Sequence, residues 1–175
     1  MDEFSYELKV PVERIAVVIG KDGETKKELE AATSSKIEVS AEGDVMIIGS
    51  DALLLYTARE IVRAIARGFN PKVALLLLKT DYALEIIDLK DVAGKSRNTL
   101  ERLKGRVIGK GGRAREEMER LTETHISVYG KTIGIIGEVQ QASIAREAVA
   151  MLLSGSMHKT VYAFLERKKK EMLFG

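Results

Sequence analysis

Val107-Ile108-Gly109-Lys110-Gly111-Gly112-Arg113 decides the fold, because Val18-Ile19-Gly20-Lys21-Asp22-Gly23-Glu24 has already said nearly the same thing. A charged helical stretch follows each. Then comes a strand-like Lys36-Ile37-Glu38-Val39-Ser40 or His125-Ile126-Ser127-Val128-Tyr129. Both copies continue to Ile-Ile-Gly (Ile47-Ile48-Gly49, Ile135-Ile136-Gly137) and close on Ala-Arg-Glu (Ala58-Arg59-Glu60, Ala145-Arg146-Glu147). The register slips only twice, by one residue each time, near loops. A repeat of about 70 residues is close to the lower limit for an independent core. The 175 residues therefore divide into two small domains.

Phe4, Tyr6, Leu8 and Val10 alternate with polar residues, a strand period. Pro11 suits the first turn of a helix over Val12 to Ile19, which Gly20 ends. Glu24 to Ala32 reads as helix with Leu29 inward. Lys36–Ser40 and Asp44–Gly49 read as an antiparallel pair. Ser50 and Asp51 both qualify as caps for a helix to Arg67, with Leu54, Ala58, Ile61 and Ile65 on its apolar stripe. The order is strand, helix, loop, helix, strand, strand, helix. The second copy repeats it from Tyr82, with a longer lead-in over Lys90 to Leu103, and adds an amphipathic helix from His158 to Met172. The expected domains are 4–69 and 82–175, the latter with a C-terminal helical extension. Val73 to Leu78 is too apolar for a flexible linker. We expect 70–81 to be a helical link packed between the domains.

Glycine accepts positive φ and lets a phosphodiester approach the main chain with no Cβ in the way. The helix behind such a turn offers unpaired N–H groups and positive dipole to a phosphate. The expected RNA-binding residues are Gly20, Lys21, Asp22, Gly23 and Lys26 in the first copy. In the second they are Gly109, Lys110, Gly111, Gly112, Arg106, Arg113 and Arg115. Lys104 to Arg115 holds five bases and no acid. The first loop carries Asp22, and repulsion between it and a phosphate costs on the order of 1 kcal/mol near a surface. The second loop is expected to bind more strongly, with the first binding weakly or serving as structure. Arg167 to Lys170 either touches phosphates or complements its own helix terminus. Tyr56 and Tyr129 are candidates for base stacking, with packing the plainer role.

Other classes of function find little support. Gly105 with Gly109-Lys110 falls one residue short of a Walker A loop, and Gly111 stands where Ser or Thr binds Mg²⁺. Gly94-Lys95-Ser96 has the right ending, but Leu89 replaces the required first glycine. The two histidines, His125 and His158, belong to no catalytic or metal-binding set. We expect no enzyme, cofactor or metal. Cysteine is absent, so there is no disulfide framework. No apolar run approaches a membrane span, and the N-terminus lacks a signal pattern, so a cytoplasmic location is expected. Asn70, Asn98, Gln140 and Gln141 are the only side-chain amides, a composition that hints at a thermophile. Net charge is only +2, so distribution matters more than the sum.

The element order around Gly-x-x-Gly is that of type I KH modules, whose loop clamps a nucleic-acid backbone. Ile87-Asp88-Leu89-Lys90-Asp91, Ala93-Gly94-Lys95-Ser96, Leu103-Lys104-Gly105-Arg106-Val107-Ile108-Gly109-Lys110 and Ile126-Ser127-Val128-Tyr129-Gly130-Lys131-Thr132 resemble the partner-of-Nob-one family of KH ribosome-assembly factors. The tandem, compact form resembles the archaeal branch. The resemblance implies an α+β fold of two tandem type I KH domains (β-α-α-β-β-α), each a three-stranded antiparallel sheet covered by helices on one face. It implies single-stranded RNA binding near the 3′ end of small-subunit rRNA. It further implies three protein partners: the alpha subunit of initiation factor two, the rRNA-maturing endonuclease and the rRNA dimethylase. Two other readings stay open: a KH scaffold for protein partners, and a KH regulator of other RNAs.

Overall fold

Pro11 has no N–H to give a strand ladder, and its fixed φ favours helix entry. In the computed structural model, which describes residues 2–174, β1 (Phe4–Lys9) stops just before it. A 3-10 turn over Val12–Arg14 leads into α1 (Ile15–Ile19). The Gly-x-x-Gly turn over Lys21–Gly23 follows, and then α2 (Glu24–Thr33). β2 (Ser35–Val39) and β3 (Asp44–Gly49) form the hairpin. Of the two possible caps, Asp51 starts α3 (Ala52–Ala66). Its carboxylate accepts from the N–H groups of Leu53 and Leu54, both at 3.1 Å.

All strands run antiparallel, in the order β1-β3-β2, with Leu8 opposite Val45 and Ile37 opposite Ile47. α3 packs on the sheet and on α2. Leu29, Ile37, Ile47, Leu55, Ile61 and Ile65 are wholly buried between these layers. The stripe on α3 enters one residue later than its spacing suggested. Leu55 is buried and Leu54 only partly so, because Asp51 sets the first turn. Asn70 caps α4 (Pro71–Ala74), and a 3-10 turn over Leu75–Leu78 follows. Both pack on α3, which buries Ala74 and Leu77 and leaves Leu78 exposed. This apolar segment thus completes the first unit, Met1–Thr80.

The second unit, Asp81–Gly175, repeats the scheme with additions. β4 (Tyr82–Asp88) leads to a one-turn α5 (Lys90–Ala93), and Ser96 caps α6 (Arg97–Ile108). After the turn over Lys110–Gly112 come α7 (Arg113–Thr122), β5 (His125–Tyr129), β6 (Thr132–Glu138) and α8 (Val139–Leu153). The sheet order is β4-β6-β5. α9 (His158–Phe174) packs on α7 and α8 and adds Val161, Phe164 and Leu165 to the core formed by Leu103, Met118, Ile133, Ile135 and Leu152. Burial of one such side chain contributes roughly 1.5–3 kcal/mol. α9 is therefore structural, and a domain this small gains much from it. Both units have the type I KH order and are α+β.

Candidate nucleic-acid interface

The two glycine turns are built alike and for one reason. Gly20 and Gly109 end α1 and α6 at φ 77° and 74°. A Cβ on Gly20 would lie 2.3 Å from the Thr25 hydroxyl, and one on Gly109 would lie 2.5 Å from the Ala114 Cβ. Only glycine lets the two helices meet at that angle. The fourth residue of each loop, Gly23 or Gly112, is left-handed at φ 75° or 79° and returns its N–H to Gly20 or Gly109. The third residue is left-handed as well: Asp22 at φ 54°, Gly111 at φ 63°. Asp tolerates this region better than most residues. Asp22 therefore keeps the shape of the loop while changing its charge.

Lys110, Gly111 and Arg113 are exposed at the start of α7, and Lys21 and Asp22 are exposed before α2. The N–H groups of a helix's first turn lack intrahelical acceptors and attract anions. In the second unit, α6, the turn, α7 and the outer strand β5 adjoin one another. Where they meet, the turn and the start of α7 present exposed Lys110 and Arg113.

Arg115 and Lys26 lie one turn further on and are tied to a carboxylate. Arg115 Nη1 is 2.7 Å from Glu119 Oε1, and Lys26 Nζ is 3.9 Å from Glu30 Oε2. The same carboxylates accept the strand N–H of Ile126 (2.9 Å) and Ile37 (2.8 Å). These glutamates fasten the outer strands to the helices that follow the loops. Each stands seven residues after the last glycine of its loop, a repeat the sequence itself displays.

Arg106 is the exception among the expected interface residues. It turns inward. Nε donates to the Leu152 carbonyl at 2.8 Å, and Nη2 donates to the Ser156 carbonyl. Its own carbonyl accepts from His158 Nε2–H at 2.7 Å. One acceptor lies in the last turn of α8 and the other three residues beyond it, so a single guanidinium ties the helix end to the segment that follows. Arg106 is thus spent within the fold, and so is His158.

The remaining candidates have structural surroundings. His125 is exposed at the start of β5. Arg59 lies 6.0 Å from the ring of Tyr56, and a hydrogen bond to the Glu60 carboxylate raises the Tyr56 hydroxyl pKa above its usual value. Arg167 and Lys168 lie over the ring of Phe164, and Lys168 pairs with Glu171 at 3.5 Å. Among the described residues, no three His, Cys, Asp or Glu side chains gather closely enough to hold a metal. No described helix is long and apolar enough to cross a membrane.

Two family models match. Residues 83–170 fit a eukaryotic type KH domain (KH-domain type I), and residues 5–64 fit the KH domain. A KH domain-containing protein of Methanocaldococcus jannaschii is 48% identical over 94% of this chain and 74% of its own length. The RNA-binding protein pno1 of Drosophila melanogaster is 36% identical over 66% of this chain and 48% of its own, so the chain spans about half of that relative. Among solved structures, one from Pyrococcus horikoshii, of an a/eIF2alpha-aDim2p-rRNA complex, has TM-score 0.89 and 44% identity. It covers 97% of this chain and 96% of the other. A protein of unknown function from Aeropyrum pernix has TM-score 0.93 and 40% identity, covering 98% and 94%.

Proposed function

Because this chain belongs to the partner-of-Nob-one (PNO1/Dim2) family of proteins with two KH domains, we propose that it binds single-stranded ribosomal RNA during assembly of the small subunit, near the 3′ end of that rRNA. The observation that carries this reading is the second glycine turn. Its exposed Lys110, Gly111 and Arg113 stand at the first turn of α7. The peptide N–H groups and the two cations hold a phosphate, and about four bases lie along the adjoining cleft. Gly109 and Gly112 shape the loop, and Arg115 adds field from its ion pair. Gly20, Lys21, Gly23 and Lys26 form the weaker counterpart, opposed by Asp22.

Binding is the whole of the activity, and no bond in the RNA is broken or made by this chain. The complex containing a/eIF2alpha and rRNA supports the alpha subunit of initiation factor two as a protein partner. The family resemblance extends the proposal to the rRNA-maturing endonuclease and the rRNA dimethylase, and to a cytoplasmic location.

The test is the full chain carrying Lys110→Asp with Gly111→Asp, titrated with an oligonucleotide from the 3′ end of small-subunit rRNA. Asp22 already occupies the left-handed position equivalent to Gly111, and Lys110 is exposed, so the variant should fold. We expect affinity to fall at least tenfold. Unchanged affinity in a folded variant sinks the RNA-clamp reading and leaves the protein scaffold.

A further inference from the structure

The second unit carries a basic concavity. α5, the first half of α6 and the turn between β5 and β6 enclose about 410 Å³. Five cationic side chains line it: Lys90, Lys95, Arg97, Lys104 and Lys131. Glu101 is the one acid among the lining residues, and it lies 3.8 Å from Lys104. Among the described residues, none of the other four bases takes part in a salt bridge. In a chain with 28 basic and 26 acidic residues, four unpaired cations around one cavity are an imbalance rather than an average surface. They repel one another, and an anion relieves that repulsion.

The segment that builds the cavity has no equivalent in the first unit, where β1 reaches the 3-10 turn across Val10 and Pro11. It includes Gly94-Lys95-Ser96, the tail of a phosphate-binding loop without its beginning. The cavity and the clamp share one helix, α6. Arg97, Glu101, Lys104 and Ile108 follow one face of α6 at helical spacing, and the helix ends on Gly109. From Arg97 to the loop is about 18 Å at 1.5 Å per residue.

We infer that this cavity is a second phosphate subsite of the second unit, and that it takes the backbone of the same RNA strand outside the four nucleotides held at the loop. The inference rests on the RNA reading above. It predicts a footprint longer than one KH groove, with affinity that rises with oligonucleotide length.

The test uses the full chain with Lys95→Glu and Lys131→Glu, a charge-matched control with Lys72→Glu and Lys159→Glu, and the loop variant Lys110→Asp with Gly111→Asp. Each is titrated with rRNA oligonucleotides of four and twelve nucleotides over a range of salt. The cavity variant should lose about tenfold on the twelve-mer and little on the four-mer, its salt slope falling by about 0.7 for each phosphate released. Equal twelve-mer affinity in cavity variant and wild type overturns the subsite, as an acidic protein segment occupying the cavity would require. So does an equal loss in the control, which would make the effect one of net charge. If the loop variant alone keeps full affinity, the RNA reading itself fails, and that result is distinct from either.

Discussion

Arg14 and Arg106 hold equivalent main-chain carbonyls from positions that the internal repeat does not align. Arg14 donates to the carbonyls of Ile65 (2.9 Å) and Phe69 (2.8 Å). Arg106 donates to those of Leu152 and Ser156. The acceptors correspond between the units, while Val17 and not Arg14 matches Arg106 in the repeat. Each pair of acceptors joins the end of the long helix to the segment after it, and each unit supplies the arginine from a different turn. Arg106→Ala removes both of its hydrogen bonds and should therefore cost about 1–3 kcal/mol of stability. Chemical denaturation measures this directly. Arg113→Ala, an exposed change, should leave stability alone and weaken RNA binding. The opposite pattern would return Arg106 to the interface.

The glycines of the second loop should separate by role. Gly109→Ala places a Cβ 2.5 Å from that of Ala114 at φ +74°, so the variant should be severely destabilised. Gly111→Ala meets nothing within 4 Å at φ +63°. Its cost should be only the left-handed backbone penalty of about 1–2 kcal/mol. Thermal melting of the two variants side by side checks the contrast.

Asp22→Gly should strengthen the first loop. It removes a carboxylate from the phosphate path and suits φ 54°. Relief of about 1 kcal/mol corresponds to roughly fivefold in affinity. The measurement belongs in a chain whose second loop is silenced by Lys110→Asp and Gly111→Asp. No gain there means that the first loop does not meet RNA.

Glu119→Ala should release the outer strand of the second sheet. The Ile126 N–H loses its acceptor, and its hydrogen exchange should accelerate about tenfold or more, as expected when a hydrogen bond of about 1 kcal/mol and the adjoining ion pair are lost. Glu119→Gln keeps an acceptor and should restore most of the protection. An unaltered Ile126 exchange rate in the alanine variant would mean that the strand is held from the sheet side alone.

The parts of this protein that are local were legible in its sequence. Both glycine turns, the helices behind them and the hairpins are short-range patterns, and each was placed to within a residue or two. The KH order followed from their succession. Arg106 was misread because its acceptors lie 46 and 50 residues away, beyond any local pattern, and a base beside a basic loop looks like part of it. The lead-in over Lys90 to Leu103 had no repeat partner to guide it. Its cavity exists only because the turn at Gly130 and Lys131 comes back to it.

Glu30 and Glu119 also govern how the molecule behaves among its own copies. β2 and β5 are each the last strand on their side of a sheet, and a bare strand edge invites a neighbouring chain to extend the ladder. On both, a carboxylate already sits on a peptide N–H that an incoming strand would need. A polypeptide that carries the same small sheet twice is thereby guarded, on that side, against edge-on aggregation.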